Sequence, residues 1–419
     1  MILTVFTCKC LIQWLFPFYL NISYGSTILA GMAFFSSLYC VVYSINKSYR
    51  VNCKFLIALF VIYSLYIYYY LFISPKIQLS QMLHVPDNSI DFIKSSVLIL
   101  FVMLSSTLCV KTLNCKKFAL ITIFLLLLFF FLYFSHIEFV LYKIIAEYDR
   151  AEREATIPRG YLDGFTIGNY MGLLFACNLF MWNKWTKNMK INLSISIAIG
   201  IVCFVIQFLV FKRGPIIFMI LTFFFYLFAR GVFSKKTIGL ICIVLLVLSI
   251  GGDYILSLLS SISSSTIMRF TTILSDGGSG RFGSSGSEYV LAIKQILQDP
   301  IFGTYPRTLS VPRLGHYPHN IILELLMTFG LFFTIPIVIL LWKAVKQSYF
   351  IIKNGDNETI FAIWFIYILS CRMTSGSILC DTNFWFCFAV VLCIDKTSIN
   401  NPYFQRKRYI SQKKNIIIN

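Results

Sequence analysis

Residues 276–330, DGGSGRFGSSGSEYVLAIKQILQDPIFGTYPRTLSVPRLGHYPHNIILELLMTFG, join a long polar segment to a strongly apolar one. The change comes at His319 and Asn320, directly before the apolar run IILELL. Asparagine is a preferred helix N-cap, and the free N–H groups of a first helical turn attract anions. The stretch therefore predicts a helix whose open end begins at Asn320, lies in polar surroundings and carries a histidine.

The composition around this stretch is that of a membrane protein. Of the 419 residues, 58% are hydrophobic and 13% are charged, which is more apolar surface than a soluble chain of this length can bury. Apolar runs of about 20 residues, each able to cross a hydrocarbon core about 30 Å thick, recur along the chain. The sequence predicts an all-α, polytopic membrane protein that forms a single domain over residues 1–419. The twelve predicted spans are 3–20, 26–45, 54–73, 92–110, 117–135, 165–182, 192–210, 215–229, 237–258, 320–342, 358–371 and 380–394.

The formal charge of +19 is unevenly distributed between the two sides of these spans. Most of the 36 Lys and Arg residues fall on alternate connections and on the ends of the chain. These basic residues are Lys9, Lys47, Arg50, Lys54, Lys111, Lys116, Lys117, Lys184, Lys187, Lys190, Arg230, Lys235, Lys236, Lys343, Lys346, Lys353 and six residues of the tail, 395–419. The positive-inside rule then places both termini in the cytoplasm and the long segment 259–319 outside. The charge thus predicts a membrane orientation rather than a nucleic-acid partner.

The thirteen cysteines predict neither a disulfide framework nor a zinc site. Most fall within spans, where cysteine behaves as a small apolar residue, and no CxxC pair occurs. Cys371 and Cys380 flank an external loop in which a disulfide could form. The sequence leaves their pairing open.

Cations on the predicted external side suggest an anion site. Lys212 and Arg213 lie between two spans with almost no loop, and charges at that depth usually have a function, although snorkelling to the headgroups is the alternative. The long external segment adds further cations and imidazoles up to the helix mouth: Arg269, Arg281, Arg307, Arg313, His316 and His319. Guanidinium groups bind phosphate oxygens in pairs, and a helix N-terminus adds partial positive charge. This set therefore predicts a phosphate or pyrophosphate site.

A short amphipathic helix is predicted over 290–298, VLAIKQILQ, on the external face and ending before Asp299. Glu288 lies just before it, and His319 lies at the mouth of span ten. An imidazole or a carboxylate in such a position can accept a proton from a substrate. For His319 the alternative is a structural role in orienting the start of the span.

Together these features resemble the O-antigen ligase and polymerase superfamily, and within it the Wzy-type O-antigen polymerases. The resemblance rests on HNIILELL and its glycine (His319 to Gly330), on SGR at 279–281 before the amphipathic helix, on DPIFG at 299–303, on KRGP around Arg213 and on RGYLDGFTIGN from Arg159. Residue by residue, it matches Arg213 to the family's turn arginine and His319 to its HN histidine.

The same resemblance matches Arg281 to the arginine before the amphipathic helix. The aromatic residue common shortly after that arginine is replaced here by GSSGS at 283–287. Arg269 is therefore the alternative to Arg281.

The resemblance implies a glycosyltransferase that polymerises undecaprenyl-pyrophosphate-linked oligosaccharide repeat units into O-antigen or capsular polysaccharide. The reaction would take place on the external face of the bacterial cytoplasmic (inner) membrane, without a metal or other cofactor. Arg213, Arg281 or Arg269, Lys212 and Arg159 would bind the pyrophosphate, and His319 or Glu288 would take the acceptor proton. Implied partners are the lipid-linked oligosaccharide, the bilayer, a chain-length regulator and a flippase.

Two alternatives remain open at this point. An O-antigen ligase of the same superfamily would pass a finished glycan to a lipid-core or protein acceptor, and the sequence does not separate it from a polymerase. A lipid-linked oligosaccharide flippase would be expected to show two related halves, charges at mid-membrane depth and short external loops. The chain has no visible repeat and an external segment at 259–319, which favours the enzyme.

Overall fold

The computed structural model describes residues 35, 54–68, 99–100, 102–103, 114–135, 164–209, 213–232, 288–303, 318–355, 357–373, 378 and 381–394. Every regular element in these residues is an α-helix, which confirms the predicted all-α class. The helices are α1 (Lys54–Tyr68), α2 (Cys115–Ser135), α3 (Gly164–Met181), α4 (Met189–Leu209), α5 (Arg213–Ala229), α6 (Glu288–Gln298), α7 (Ile321–Asn354), α8 (Thr359–Arg372) and α9 (Thr382–Cys393).

Every one of these helices except α6 falls on a predicted span. Their ends lie within about three residues of the predicted ends, except for the C-terminal ends of α1 and α7. The predicted amphipathic helix is α6, which begins at Glu288 rather than at residue 290. Within the described ranges, α2, α7 and residues 189–206 of α4 are long and apolar enough to cross a membrane. The predicted spans 3–20, 26–45, 92–110 and 237–258 lie outside the described residues, apart from residue 35 and a few residues near 100.

Helix α8 is the centre of the described bundle. It packs against α3, α5, α7 and α9, and its residues from Ile360 to Ile368 are buried. The hydroxyl of Tyr367 donates a hydrogen bond to the carbonyl oxygen of Gly168 in α3, at 2.7 Å. A Cβ on Gly172 would lie 1.8 Å from the Tyr367 ring, so α3 approaches α8 this closely because Gly172 has no side chain.

Several basic connections meet at one end of this bundle. The pKa of Lys184, which follows α3, is lowered from its usual 10.5 to about 8. Burial is the main cause, and the positive charge of Arg230 comes next; Cys115 opposes them in part, and Lys116 adds a still smaller decrease. A Cβ on Gly355, at the end of α7, would lie 2.6 Å from a guanidinium nitrogen of Arg230. The ends of α3, α5 and α7 and the start of α2 therefore lie together, as the alternation of basic connections predicts for them.

Helix α7 is longer than the predicted span, which ended at residue 342. It continues to Asn354 and so includes Lys343, Lys346 and Lys353, which the sequence reading had assigned to a connection. Lysine is a good helix former and is favoured near a helix C-terminus, whereas hydropathy reports only where the apolar part of a helix stops. The helix ends at Gly355, whose left-handed backbone lets its N–H reach the last carbonyl groups.

Candidate functional site

The mouth of α7 is fixed by Asn320, which caps the helix as predicted. Its side-chain oxygen accepts hydrogen bonds from the N–H groups of Ile322 and Leu323 at 3.0 and 3.2 Å. Its amide nitrogen donates to the carbonyl oxygen of Met373 at 3.0 Å. One side chain therefore satisfies the start of α7 and joins it to the end of α8.

A buried polar layer lies beneath this mouth. Glu324, 1% exposed, accepts a hydrogen bond at Oε2 from the N–H of Ile378 at 3.0 Å. The guanidinium of Arg372 pairs with the carboxylate of Asp381, and Arg372 Nε donates to Asp381 Oδ2 at 2.6 Å. The other oxygen of Asp381 caps α9. These contacts fasten the connection between α8 and α9 against the first turn of α7.

His319 has an unusual backbone at the centre of this site. Among the described residues it is the non-glycine residue with positive φ, at 49°, a conformation that histidine adopts more readily than most residues but at some cost. Its Nε2 lies 3.9 Å from Oε2 of Glu288, and the two side chains are 26% and 13% exposed. That distance is within ion-pair range and longer than a hydrogen bond.

The pair brings together the two residues that the sequence reading named separately as proton acceptors. Glu288 is the first residue of α6, and a carboxylate is favoured in the first turn of a helix. Leu291 and Ala292 of α6 pack against Met327 of α7. Helix α6 thus lies along the first part of α7, with its own first turn at the helix mouth.

Helix α7 is interrupted at Gly330, where φ is 62° and ψ is −178°. The turn after α6 fills the interruption: Leu331 N–H donates to the carbonyl oxygen of Pro300 at 2.8 Å, and Phe332 N–H donates to that of Ile301 at 3.0 Å. Backbone groups that lose their helical partners must find others when they are buried. The sequence predicts an uninterrupted span over 320–342, and the motifs DPIFG and Gly330 do not by themselves indicate this break.

The predicted cations are located less completely than the predicted proton acceptors. Arg213 is the first residue of α5. Arg159, Lys212, Arg269 and Arg281 lie outside the described residues. The pyrophosphate-binding set therefore stays a prediction.

Three residues of the site were missed by the sequence reading: Glu324, Arg372 and Asp381. Asp381 had a recognisable signal, because an aspartate directly before the run TNFWFCF is typical of an N-cap. Glu324 and Arg372 had none, because their partners are far away in the sequence or in an irregular segment.

The described part of the chain defines neither a metal centre nor the state of the Cys371 and Cys380 pair. Within those ranges no group of three His, Cys, Asp or Glu residues is arranged to hold a metal ion. Cys371 is a buried, free thiol, and Cys380 lies outside the described residues.

The arrangement can perform proton transfer beside an anion. An imidazole can accept a proton from a substrate, and a neighbouring carboxylate stabilises the positive charge that results. The dipole of α7 adds partial positive charge at its first turn, where Asn320 already accepts from the N–H groups of Ile322 and Leu323. No protein-family model and no curated protein sequence matches this chain.

Proposed function

We propose that this protein is a glycosyltransferase of the bacterial inner membrane that polymerises undecaprenyl-pyrophosphate-linked oligosaccharide repeat units into a surface polysaccharide, such as O-antigen or capsule. The observation that carries the proposal is the pairing of His319 with Glu288 at the mouth of α7. The packing of α6 on α7 brings a base and a carboxylate from two separate segments to one helix mouth, where the head of a lipid-linked substrate would bind.

In the proposed reaction, the bond between the anomeric carbon of the growing glycan and a pyrophosphate oxygen breaks, and its electron pair leaves with the pyrophosphate. The hydroxyl oxygen of the next repeat unit forms the new bond to that carbon. His319 accepts the hydroxyl proton, and Glu288 stabilises the resulting imidazolium. Arg213, Arg281 or Arg269, Lys212 and Arg159 neutralise the charge that develops on the leaving group.

The proposal includes a multi-pass topology of twelve spans, with both termini in the cytoplasm and the segment 259–319 outside. It is supported by the meeting of basic connections at one end of the bundle. It is also supported by an apolar stripe on α7, which leaves large side chains exposed at Leu331, Phe332, Ile335, Ile339 and Trp342, where lipid would cover them.

The topology is tested with reporter fusions. A reporter within the segment 259–319 is expected to show external exposure, and a reporter after Asn354 or at the C-terminus is expected to show cytoplasmic exposure. An external C-terminus would contradict the proposed number of spans.

The function is tested by comparing His319→Ala with Asn320→Ala in cells that make the polysaccharide. A lost general base lowers the rate about 10² to 10⁴-fold, so His319→Ala should leave only single repeat units on the acceptor lipid. Asn320→Ala removes the N-cap and the hydrogen bond to the Met373 carbonyl group, each worth about 1 kcal/mol, but it removes no proton acceptor, so it should retain visible polymer. The measurement is the glycan ladder at matched membrane levels of the two variants.

Two other outcomes of that experiment have clear meanings. Equal polymer from both variants would leave His319 with the structural role and would contradict the proposed chemistry. If His319→Ala instead accumulates full-length polymer on undecaprenyl pyrophosphate, without transfer to the acceptor lipid, the protein is a ligase.

A further inference from the structure

Two glycines meet where the turn after α6 enters the interruption of α7. A Cβ on Gly303 would lie 2.4 Å from the carbonyl oxygen of Thr328, and one on Gly330 would lie 2.2 Å from that of Ile301. Both glycines have positive φ, at 77° and 62°. Because the obstructing atoms are backbone, neither position can accept a side chain unless the turn and the helix move apart. We call this contact the glycine interlock, formed by residues 300–303 and 328–332.

The glycine interlock and the Glu288–His319 pair stand at opposite ends of two matched segments. Helix α6 covers ten steps from Glu288 to Gln298 and the turn at 300–303 follows it, while Gly330 comes 11 positions after His319. The segments run side by side in the same direction, since Glu288 is near His319 and the turn at 300–303 is near Gly330. The helical parts of both segments rise about 1.5 Å per residue. A shift of one segment along the other at the Gly330 end is therefore carried to the Glu288 end.

The register of such a pair is set wherever the two backbones are joined directly. Between the ends, α6 contacts α7 through apolar side chains such as Leu291 and Met327, and apolar contacts are not directional. At the glycine interlock two backbone hydrogen bonds join the segments. A slip of one residue there would move Glu288 about 1.5 Å along the helix axis and about 100° around it, away from His319.

We propose that Gly303 and Gly330 are positioning residues that hold Glu288 against His319 by fixing the register of α6 along α7. The role in catalysis rests on the function proposed above, whereas the role in register is a property of the fold. Neither glycine contacts the reacting groups. Their effect is transmitted through the two helical segments.

The register is tested without reference to activity, in a chain that carries Glu288→Cys and His319→Cys. A short bifunctional methanethiosulfonate reagent should link the two thiols, and mass spectrometry of the linked peptides gives the yield. The six cysteines among the described residues are buried, and chains that carry only one of the two substitutions give the background from the thirteen native cysteines. Adding Gly303→Ala or Gly330→Ala is expected to lower the yield about tenfold, because a slip of one residue turns position 288 by about 100° around the helix axis and takes its thiol out of reach of a short linker.

Gly231→Ala supplies the matched control. Gly231 also has positive φ, at 67°, but nothing lies within 4 Å of the Cβ position. It therefore imposes the same backbone strain without the collision, and its chain should link like the parent. Equal linking in all three glycine variants, at equal membrane levels, would overturn the proposal.

A second measurement connects the register to the reaction. In the chain with Glu288 and His319 intact, Gly330→Ala should lower the elongation rate at saturating lipid-linked substrate about tenfold or more, with little change in the half-saturating concentration. In the Glu288→Gln background the same change should cause little further loss, because interactions that act through one another are not additive. Full additivity would show that the interlock acts elsewhere and would overturn the catalytic part.

The two proposals fail in different ways. Native polymer from Glu288→Gln and His319→Ala would remove the proposed function and, with it, the catalytic role of the glycines. Loss of linking in the two glycine variants would still establish the role in register.

Discussion

The two ends of the described bundle handle charge differently. At the α7 mouth, polar side chains have specific partners: Asn320 bonds to the Met373 carbonyl group, and Arg372 pairs with Asp381. At the basic end, cations lie over aromatic rings, with the Lys184 nitrogen 3.4 Å from the centre of the Phe180 ring. Arg230 and Lys353 lie over Tyr226 and Tyr349 in the same way, at 5.6 and 5.9 Å.

The two kinds of contact differ in how strongly they depend on geometry. Hydrogen bonds weaken steeply with angle and distance, so the contacts at the mouth define positions within a fraction of an ångström. A cation over a ring is attracted over a wide range of positions, and a long side chain can keep its charge in water. The contacts at the mouth are therefore of the kind that aligns groups, whereas those at the basic end tolerate a range of side-chain positions.

The largest loss of stability is expected from Arg372→Ala at the α7 mouth. Arg372 and Asp381 are 5% and 8% exposed, and removing one partner of a buried ion pair leaves an uncompensated charge that costs about 3–5 kcal/mol. Lys353→Gln at the exposed basic end is the matched comparison and should change stability by less than about 0.5 kcal/mol. Thermal unfolding of the purified variants measures both. Similar shifts for the two would contradict the distinction between the ends.

A smaller effect is expected from Lys184, through the pH dependence of stability. Its pKa in the folded protein, about 8, lies below the usual 10.5. The unfolded chain therefore holds this proton more tightly between pH 8 and 10.5, and stability rises with pH across that window. Below pH 8 both states are protonated and the full penalty remains.

Lys184→Gln removes this contribution and provides the test. The difference in stability between the native chain and the variant should shrink as pH rises from 8 to 10.5, with the variant the more stable of the two at pH 7. The group is partly exposed, so solvent screening keeps the effect small. A difference that does not vary with pH would place Lys184 in contact with an anionic partner that offsets its burial.

Much of the helical plan follows from the sequence because its causes are local. Apolar runs place eight of the helices within the described residues, and charge alternation predicts which of their ends meet. Asn320 as the cap of α7 also follows, since an N-cap acts on residues two and three positions away. The predicted end at residue 342 was wrong for α7, because hydropathy does not report a helix that continues beyond its apolar part.

The site was only partly predictable, for an equally physical reason. His319 and Glu288 could be named as proton acceptors from their places at two helix starts, but the sequence does not contain the 3.9 Å between them. That distance depends on the side-by-side packing of α6 and α7 and on the break at Gly330. Glu324 bonds to the N–H of Ile378, 54 positions away, and no local pattern indicates such a partner.

From the sequence alone follow the all-α class, the positions of the helices within the described residues, the meeting of several of their basic ends and the chemical types available at the α7 mouth. Each of these depends on hydropathy, propensity or capping within a few residues. The tertiary structure decided which of those groups meet, because contacts between distant segments depend on backbone approach. Gly330 is an example. The sequence shows only a glycine within an apolar helix, whereas the structure shows that the turn at 300–303 packs so closely there that a side chain would collide with its backbone.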